Sequence, residues 1–450
     1  MSLSVAHPGP DFRVRELLTE LYTVATAAVD PAPALTARLE KLGPRDREPG
    51  RRRWVLALGK AAAPMARAAV ETLARWGIEP AGGLVVSPSR HTTPHPKLRV
   101  VAGDHPEPGP GSLAAAAALG DAVAEVGEGD EVWVLLSGGA TSLLAAPVDG
   151  ITPAELTSLY SLLLGSGLDI TAMNRIRKRF SRWGGGRLAR ALAPTPVRVF
   201  IVSDVIGDDL ASIGSGPCVP DLATAAEVRR MLEGAGLWDR VPAAARRVVT
   251  ASESGETAET PKPGDEAFAR VTLELIASNR LALEATAKRA AELGLAPVMA
   301  ETPLAGEASA TGASVAATLL QNCGPGENTQ PARARRCFIW GGETTVTLGE
   351  TPPGLGGRCQ ELALAAARTL AGARSGVALL AAGTDGRDGP TDAAGAIVDG
   401  RTWRAIEAAG RDPARDLAAH DAYRSLDAAG ALLRVGLTGT NVMDVVIGVV

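Results

Sequence analysis

The sequence predicts an α/β protein built on a doubly wound parallel sheet, and two observations carry that prediction. Short apolar runs such as Val132-Trp133-Val134-Leu135-Leu136 alternate with alanine-rich helical segments, the pattern of strands covered on both faces. Six glycine-rich, charge-bearing stretches follow such runs, a layout in which a strand end presents backbone N–H groups to an anion. At 450 residues the chain exceeds one ordinary core, so two or three domains are expected.

The elements follow in order. Residues 11–29 read as an amphipathic helix that ends before Asp30-Pro31-Ala32-Pro33. A strand over Trp54-Val55-Leu56-Ala57-Leu58 leads to Gly59-Lys60 and a helix over 61–76. Gly83-Leu84-Val85-Val86 is a second strand, followed by a loop rich in Pro and His over 87–110 and another alanine-rich helix. The strand over 132–136 empties into Ser137-Gly138-Gly139-Ala140-Thr141-Ser142, read as a turn that opens a helix. Residues 197–202 form a strand that delivers Ser203-Asp204 at its end. The polar, acidic stretch 251–266 reads as an exposed loop or linker, and the domain change is placed near it. A second polar loop spans Asn322 to Arg335, after a strand over 272–276 and a helix beyond Asn279. The strand–glycine pattern then resumes at 337–343 and 378–385, with a helix over 361–371 between them. No repeat of 20–50 residues is present, which argues against a solenoid.

Composition narrows the function. Hydrophobic residues at 46 % and charged residues at 21 % are ordinary for a globular protein. Aromatic residues at 3 % and a net charge of −4 give neither a base-stacking surface nor a general polyanion-binding field, so no nucleic-acid partner is expected. Arg51-Arg52-Arg53 reads as a solvated strand entrance, and Arg175 to Arg182 form a second local basic cluster. Cys218, Cys323, Cys337 and Cys359 show no C-x-x-C spacing, which argues against a zinc cluster or a disulfide framework. Four of five histidines precede residue 106, so a Ser-His-Asp triad would draw on His91, His95 or His105. The N-terminus has no signal pattern and no apolar run reaches the ~18 residues that span a bilayer. No membrane partner and a cytoplasmic location are expected.

Several constellations bear chemistry. Lys60 follows a strand and a glycine and opens a helix, a place for meeting phosphate or carboxylate and also for a plain surface lysine. Ser137 to Ser142 offer hydroxyls and N–H donors suited to phosphates, although a plain strand-to-helix turn has the same local pattern. The stretch is neither G-x-x-x-x-G-K-[ST] nor G-x-G-x-x-G. Asp204, Asp208 and Asp209 place three carboxylates after one strand, where carboxylates hold Mg²⁺ or take a hydroxyl proton. Asp209 reads as a cap. Arg358 falls in a helix first turn, where a cation conflicts with the helix dipole unless an anion shares the site. Asp385 to Gly389 form D-x-x-D-G, a tight turn or a ligand loop, without the spacing or terminal Glu of an EF-hand.

Taken together, Gly59-Lys60-Ala61-Ala62, Asp104-His105-Pro106, Leu136-Ser137-Gly138-Gly139, Asn174-Arg175-Ile176-Arg177-Lys178, Ser203-Asp204-Val205 and Ser215-Gly216-Pro217 form an ordered set. It continues through Gly341-Gly342-Glu343-Thr344, Gly356-Gly357-Arg358, Gly383-Thr384-Asp385-Gly386 and Asn441-Val442-Met443-Asp444. The whole chain thereby resembles the glycerate 2-kinases whose C-terminal region is called the MOFRL domain. The resemblance implies a Rossmann-like N-terminal domain over 1–250 and a C-terminal α/β domain with a mixed sheet over 267–450, including a MOFRL-like region over 336–447. It places the active site in the cleft between the two domains. It also implies phosphorylation of D-glycerate to 2-phosphoglycerate with ATP and Mg²⁺, by a monomer or homodimer. On that basis Lys60 and Arg358 are the catalytic cations, and Asp204 accepts the 2-hydroxyl proton or orients Mg²⁺. Ser137, Gly138, Gly139 and Ala140 form the phosphate turn, Asp385 and Gly386 contact the nucleotide, and Asp208 and Asp388 serve the metal. The chain departs from the family after Lys178. Arg179 replaces the usual histidine, and Gly184 the lysine of a Lys-Gly-Gly. The rival reading is an NAD(P)H-dependent hydroxypyruvate reductase, which would need the missing dinucleotide fingerprint. A non-catalytic anion sensor would need far fewer charged strand ends.

Overall fold

The computed structural model describes residues 12–43, 50–323, 335–349, 352–374 and 376–450. The chain forms two compact units, Pro31–Ile276 and Met1–Asp30 with Ala277–Val450.

In the Pro31–Ile276 unit the strands are β1 (Arg53–Leu58), β2 (Gly82–Ser87), β3 (Leu98–Ala102), β4 (Glu131–Leu136), β5 (Val197–Val202) and β6 (Val271–Ala277), in the order β3-β2-β1-β4-β5-β6. The pairs from β3 through β5 are parallel. Alternation sends Trp54, Leu56, Leu58, Val132, Val134 and Leu136 to one face, against the helix Pro110–Ala124, Trp183 and Leu188. Val55, Ala57, Leu135 and Phe200 are buried as well. Trp133 meets Phe200 and Trp76 edge-on, and the helix Ala62–Arg75 lies over β1, β2 and β4. Burial on both faces explains the unbroken apolar runs. Strand β3 lies inside the stretch expected to be loop, because its residues are only partly buried and Arg99 interrupts their apolar pattern.

The expected solvated entrance at Arg51-Arg52-Arg53 needs correction at its last residue. Arg53 is fully buried, and Glu131 pairs with Arg51, Arg53 and Arg198 at 3.3, 3.5 and 2.8 Å. A helical layer also belongs to this unit: Pro153–Leu164, Ile170–Phe180, Ala225–Gly234 and Ala243–Glu253 share a core that includes Leu159, Leu163, Phe180, Val228 and Val249. The T-x-x-E capping boxes Thr152–Glu155 and Thr224–Glu227 announce two of these helices in the sequence.

The other unit contains β7 (Ala296–Met299), β8 (Arg336–Gly342), β9 (Ala378–Gly383), β10 (Gly395–Asp399), β11 (Leu432–Leu433) and β12 (Asp444–Val449), in the order β11-β10-β9-β12-β8-β7. Only β7–β8 among its pairs is parallel, so the sheet is mixed. The helices Ala308–Gln321 and Arg358–Leu370 pack closely, since a Cβ on Gly312 would lie 2.1 Å from the Leu362 carbonyl oxygen.

The helix Phe12–Ala28 belongs to this second unit, which differs from the expected division into 1–250 and 267–450. Its Leu18, Leu21, Tyr22 and Ala25 are buried, Tyr22 donates to the Gly383 carbonyl at 2.7 Å, and Glu20 pairs with Arg289 at 2.6 Å. Residues 271–276 fall in the first unit, because β6 lies beside β5. Most of the polar loop from Asn322 to Arg335 lies outside the described residues. No described helix is long and apolar enough to cross a membrane.

Candidate active site

The strand order reverses between β1 and β4, so the connections leave their carboxyl ends in opposite directions and open a crevice there. The chain ties these two ends together. Ser137 donates its amide to the Leu58 carbonyl at 2.9 Å, Lys60 donates to Gly138 O at 2.9 Å, and Ala61 donates to Ser137 Oγ at 3.0 Å. Gly59 has φ +122°, and a Cβ there would lie 2.4 Å from Ser137 O, so only glycine lets the strands approach.

Two further glycines show what surrounds this seam. A Cβ on Gly138 would fall 1.7 Å from Asp204 Oδ2, so the half-buried Asp204 carboxylate rests on the bare α-carbon. A Cβ on Gly139 would lie 3.1 Å from both Lys60 Cγ and His105 Cδ2. The ends of β1, β4 and β5 and the residues beyond β3 thus bring Lys60, His105, Gly138, Gly139 and Asp204 together. Lys60 is exposed and His105 half-buried. Burial, and then the Lys60 charge, lower the His105 pKa and favour its neutral ring.

The helix expected after this turn is a single turn, Ala140–Leu143. Four residues sum few peptide dipoles, so an anion here would rely on individual N–H groups and Lys60 rather than on a macrodipole. Beside it, Thr141 Oγ1 and Ser215 Oγ are 3.0 Å apart. Asp209 caps the following turn, accepting from the Ala211 amide at 3.1 Å and the Ser212 hydroxyl at 2.6 Å. Asp208, half-buried in the left-handed conformation at φ 55°, has no hydrogen-bond partner for its carboxylate among the described residues.

In the second unit Arg358 is the first residue of its helix. Its Nε and Nη2 donate to Asp444 Oδ2 and Oδ1 at 2.6 and 2.7 Å, and Nη2 also lies 3.1 Å from Glu343 Oε1. The anion that reconciles a cation with this helix start is therefore supplied by the chain itself. Burial opposes both charges and raises the Asp444 pKa to about 6, while the bidentate pair holds the guanidinium protonated. Asp444 follows Met443, which is left-handed at φ 69°, and Asn279 Nδ2 grips the carbonyls of Val442 and Asp444 at 2.8 and 2.9 Å. Asp385 Oδ1 accepts the Arg387 amide at 2.9 Å in a tight turn, and Gly386, at φ +83°, lies against the Gly436 carbonyl.

Asp388, expected at a metal, has a different use. It is buried and accepts the amides of Cys359 and Gln360 at 3.2 and 2.7 Å, which caps the helix of Arg358. Burial outweighs these bonds and raises its pKa to about 7. Among the described residues no three His, Cys, Asp or Glu side chains cluster as a metal site.

The chain is similar to known proteins along nearly its whole length. Residues 17–250 match the model of a domain of unknown function, DUF4147, and residues 336–444 match that of the MOFRL family. A glycerate 2-kinase of Pyrococcus horikoshii is 37 % identical over 397 residues, covering 88 % of this chain and 87 % of that one. The crystal structure of a glycerate kinase from Thermotoga maritima superposes with a TM-score of 0.86 at 35 % identity, covering 98 % of this chain and 100 % of the other. The chain belongs to the glycerate 2-kinase family. An Agrobacterium vitis relative, 37 % identical over 97 % of this chain and 94 % of its own, carries hydroxypyruvate reductase only as a provisional label.

The two departures from the family pattern at Arg179 and Gly184 have structural uses. Arg179 is buried, pairs with Glu259 at 2.5 Å and donates to the Ala223 carbonyl at 3.2 Å. Arg187 donates to the carbonyls of Lys178, Arg179 and Ser181 at 2.8, 3.0 and 3.0 Å, which closes the end of the helix Ile170–Phe180. Gly184 packs against Ser181 and Ser215. In the sequence His105 stands out only as a possible triad histidine and Asp444 carries no assigned role, although both stand in the matched motifs. The sequence signal for Asp444 was a carboxylate opening the apolar strand Asp444-Val445-Val446-Ile447.

Proposed function

We propose that this protein is an ATP-dependent kinase that phosphorylates the 2-hydroxyl of D-glycerate. The observation that carries the reading is the convergence of Lys60 and Asp204 on the Gly138-Gly139 turn at the crevice of the parallel sheet. A cation, a carboxylate and a turn with no side chains in the way suit a small anionic alcohol and a phosphoryl group. Phosphoryl transfer asks for alignment and charge neutralisation, and these groups supply both.

In this reading Lys60 binds the glycerate carboxylate and steadies charge on the phosphoryl group. Asp204 takes the 2-hydroxyl proton as that oxygen bonds to the γ-phosphorus and ADP leaves. The amides of Gly138, Gly139 and Ala140, with the Ser137 seam beneath them, cradle phosphate oxygens. A bound Mg²⁺ would neutralise charge on those oxygens, and Asp208, whose half-buried carboxylate has no partner among the described residues, is the side chain that fits it. Mg²⁺ keeps water and phosphate ligands, so one or two carboxylates suffice. Asp388 is left out of the metal set, since both its oxygens serve the Arg358 helix. In the second unit Arg358, Asp385 and Gly386 keep the assignments that the resemblance implies, Arg358 as a catalytic cation and the other two at the nucleotide.

A coupled assay with D-glycerate, ATP and Mg²⁺, with the product resolved by NMR, tests the reading. 2-Phosphoglycerate with equimolar ADP is the expected result. NADH oxidation with hydroxypyruvate and no ADP release would reject it.

A further inference from the structure

We propose that His105 binds the hydroxyl group of the acceptor acid, beside the Lys60 ammonium that takes its carboxylate. The inference rests on the kinase reading and deepens it by naming what reads the alcohol.

Placement is the first argument. The Cδ2–Nε2 edge of the imidazole and the stem of Lys60 both lie against Gly139, with distances of 3.1 Å from Cδ2, 3.2 Å from Nε2 and 3.1 Å from Lys60 Cγ to a Cβ placed there. Any side chain at 139 would fill the space they border. A short acid reaching the Lys60 ammonium therefore comes within reach of the ring.

The second argument is what the ring lacks. His91 has Ser89 Oγ at 3.2 Å, the His95 ring accepts the Lys97 amide at 3.2 Å, and His420 has Glu361 at 2.9 Å. Among the described residues, His105 is the one histidine with no hydrogen-bond partner at either nitrogen. A half-buried imidazole without partners forfeits bonds that a ligand can restore.

The third argument is chemical fit. Lys60 is the charged group facing this ring, and with burial it favours the neutral form. A neutral imidazole carries one donor and one acceptor, as an alcohol does, whereas a carboxylate only accepts. The pair thus divides a hydroxy acid between them: ammonium to carboxylate, imidazole to hydroxyl.

Binding of D-glycerate and of propionate, which keeps the carboxylate and lacks the hydroxyls, tests this on the full chain. The unaltered protein is expected to prefer D-glycerate roughly tenfold or more, the size of one hydrogen bond. In His105→Phe the preference should fall several-fold with propionate binding retained, the remainder being what Asp204 holds, and in His105→Gln part of that loss should be recovered. Full preference in the Phe variant overturns the inference. Ring NMR signals of His105 in the unaltered protein give an independent reading: larger shifts with D-glycerate than with propionate are expected, and equal shifts overturn the inference. The kinase reading stands or falls separately, on whether the same unaltered sample phosphorylates D-glycerate. If it does not, both fall.

Discussion

At Arg358 the proposed catalytic charge and a pair within the fold fall on one side chain, and the structure changes what its removal should do. Its two donors on Asp444 neutralise a carboxylate that is almost entirely buried, so Arg358→Ala leaves that charge stranded. The variant should lose turnover by orders of magnitude and also about 3 kcal/mol of stability, the lower end for breaking a buried pair. Adding Asp444→Asn should return much of the stability and none of the turnover, read by denaturant melts beside the assay. If turnover returns as well, Arg358 serves the fold alone. Lys60 makes the opposite case. It is exposed, so Lys60→Ala should cost turnover by about 10²–10³ with an unchanged melt, and near-normal turnover would remove it from the mechanism. Asp388 adds a pH signature. Its folded pKa of about 7 lies above the ~3.9 of an unfolded aspartate, so the folded state binds the extra proton. Its contribution to stability should therefore fall as pH rises from about 4 to about 7 and stay level above. Asp388→Asn should lose that slope, and an identical slope in both proteins would show that Asp388 does not titrate in this window.

At the scale of the element, two neighbouring glycines separate folding from chemistry. A Cβ on Gly59 would strike the backbone of Ser137 from a left-handed residue, and neither strand end can yield. Gly59→Ala should destabilise the parallel-sheet unit by about 3 kcal/mol or more. The atoms nearest to a Cβ on Gly138 are those of the Asp204 carboxylate, a side-chain end that can turn aside where a backbone cannot. Gly138→Ala should thus stay folded and lose turnover to the level of Asp204→Asn; activity far above that level would detach Asp204 from the turn. These contrasts also mark how far the sequence could be read. Strands β1, β2 and β4 were legible because burial on both faces leaves an apolar run, and β5 because Val199-Phe200-Ile201-Val202 follows its one arginine. The places of Lys60 and Asp204 just beyond strand ends were legible too, since each follows an apolar run. The helical layer over 153–253 was not, because its apolar residues are shared among several short helices whose partners lie far along the chain. Nor was the resolution of the Arg358 conflict, because Asp444 lies 86 positions away and only the pairing of β12 with β8 and β9 brings it near.

For the molecule as a whole, the chain's path matters more than its periodicity. The helix Phe12–Ala28 announces an apolar stripe in the sequence, but a stripe does not name the surface that covers it. Proximity in sequence favours the parallel sheet that follows, yet the helix packs on the helix Asn279–Glu292 and reaches β9 and β12. Leu18, Leu21, Tyr22 and Ala25 are buried there, the Tyr22 hydroxyl holds Gly383 O, and Thr440 Oγ1 donates to the Val29 carbonyl at 2.7 Å. Burying three large side chains is worth about 1.5–3 kcal/mol each, close to the whole 5–15 kcal/mol that keeps a typical domain folded. Residues 277–450 alone should therefore fail to unfold cooperatively, whereas adding a peptide of residues 12–30 should restore a sharp transition. Residues 31–276 should unfold cooperatively without that peptide. A cooperative transition in 277–450 alone would mean that the mixed sheet carries its own core and the helix is only an attachment. Because Gly383 ends β9 immediately before Thr384 and Asp385, the same peptide should also order the turn assigned to the nucleotide.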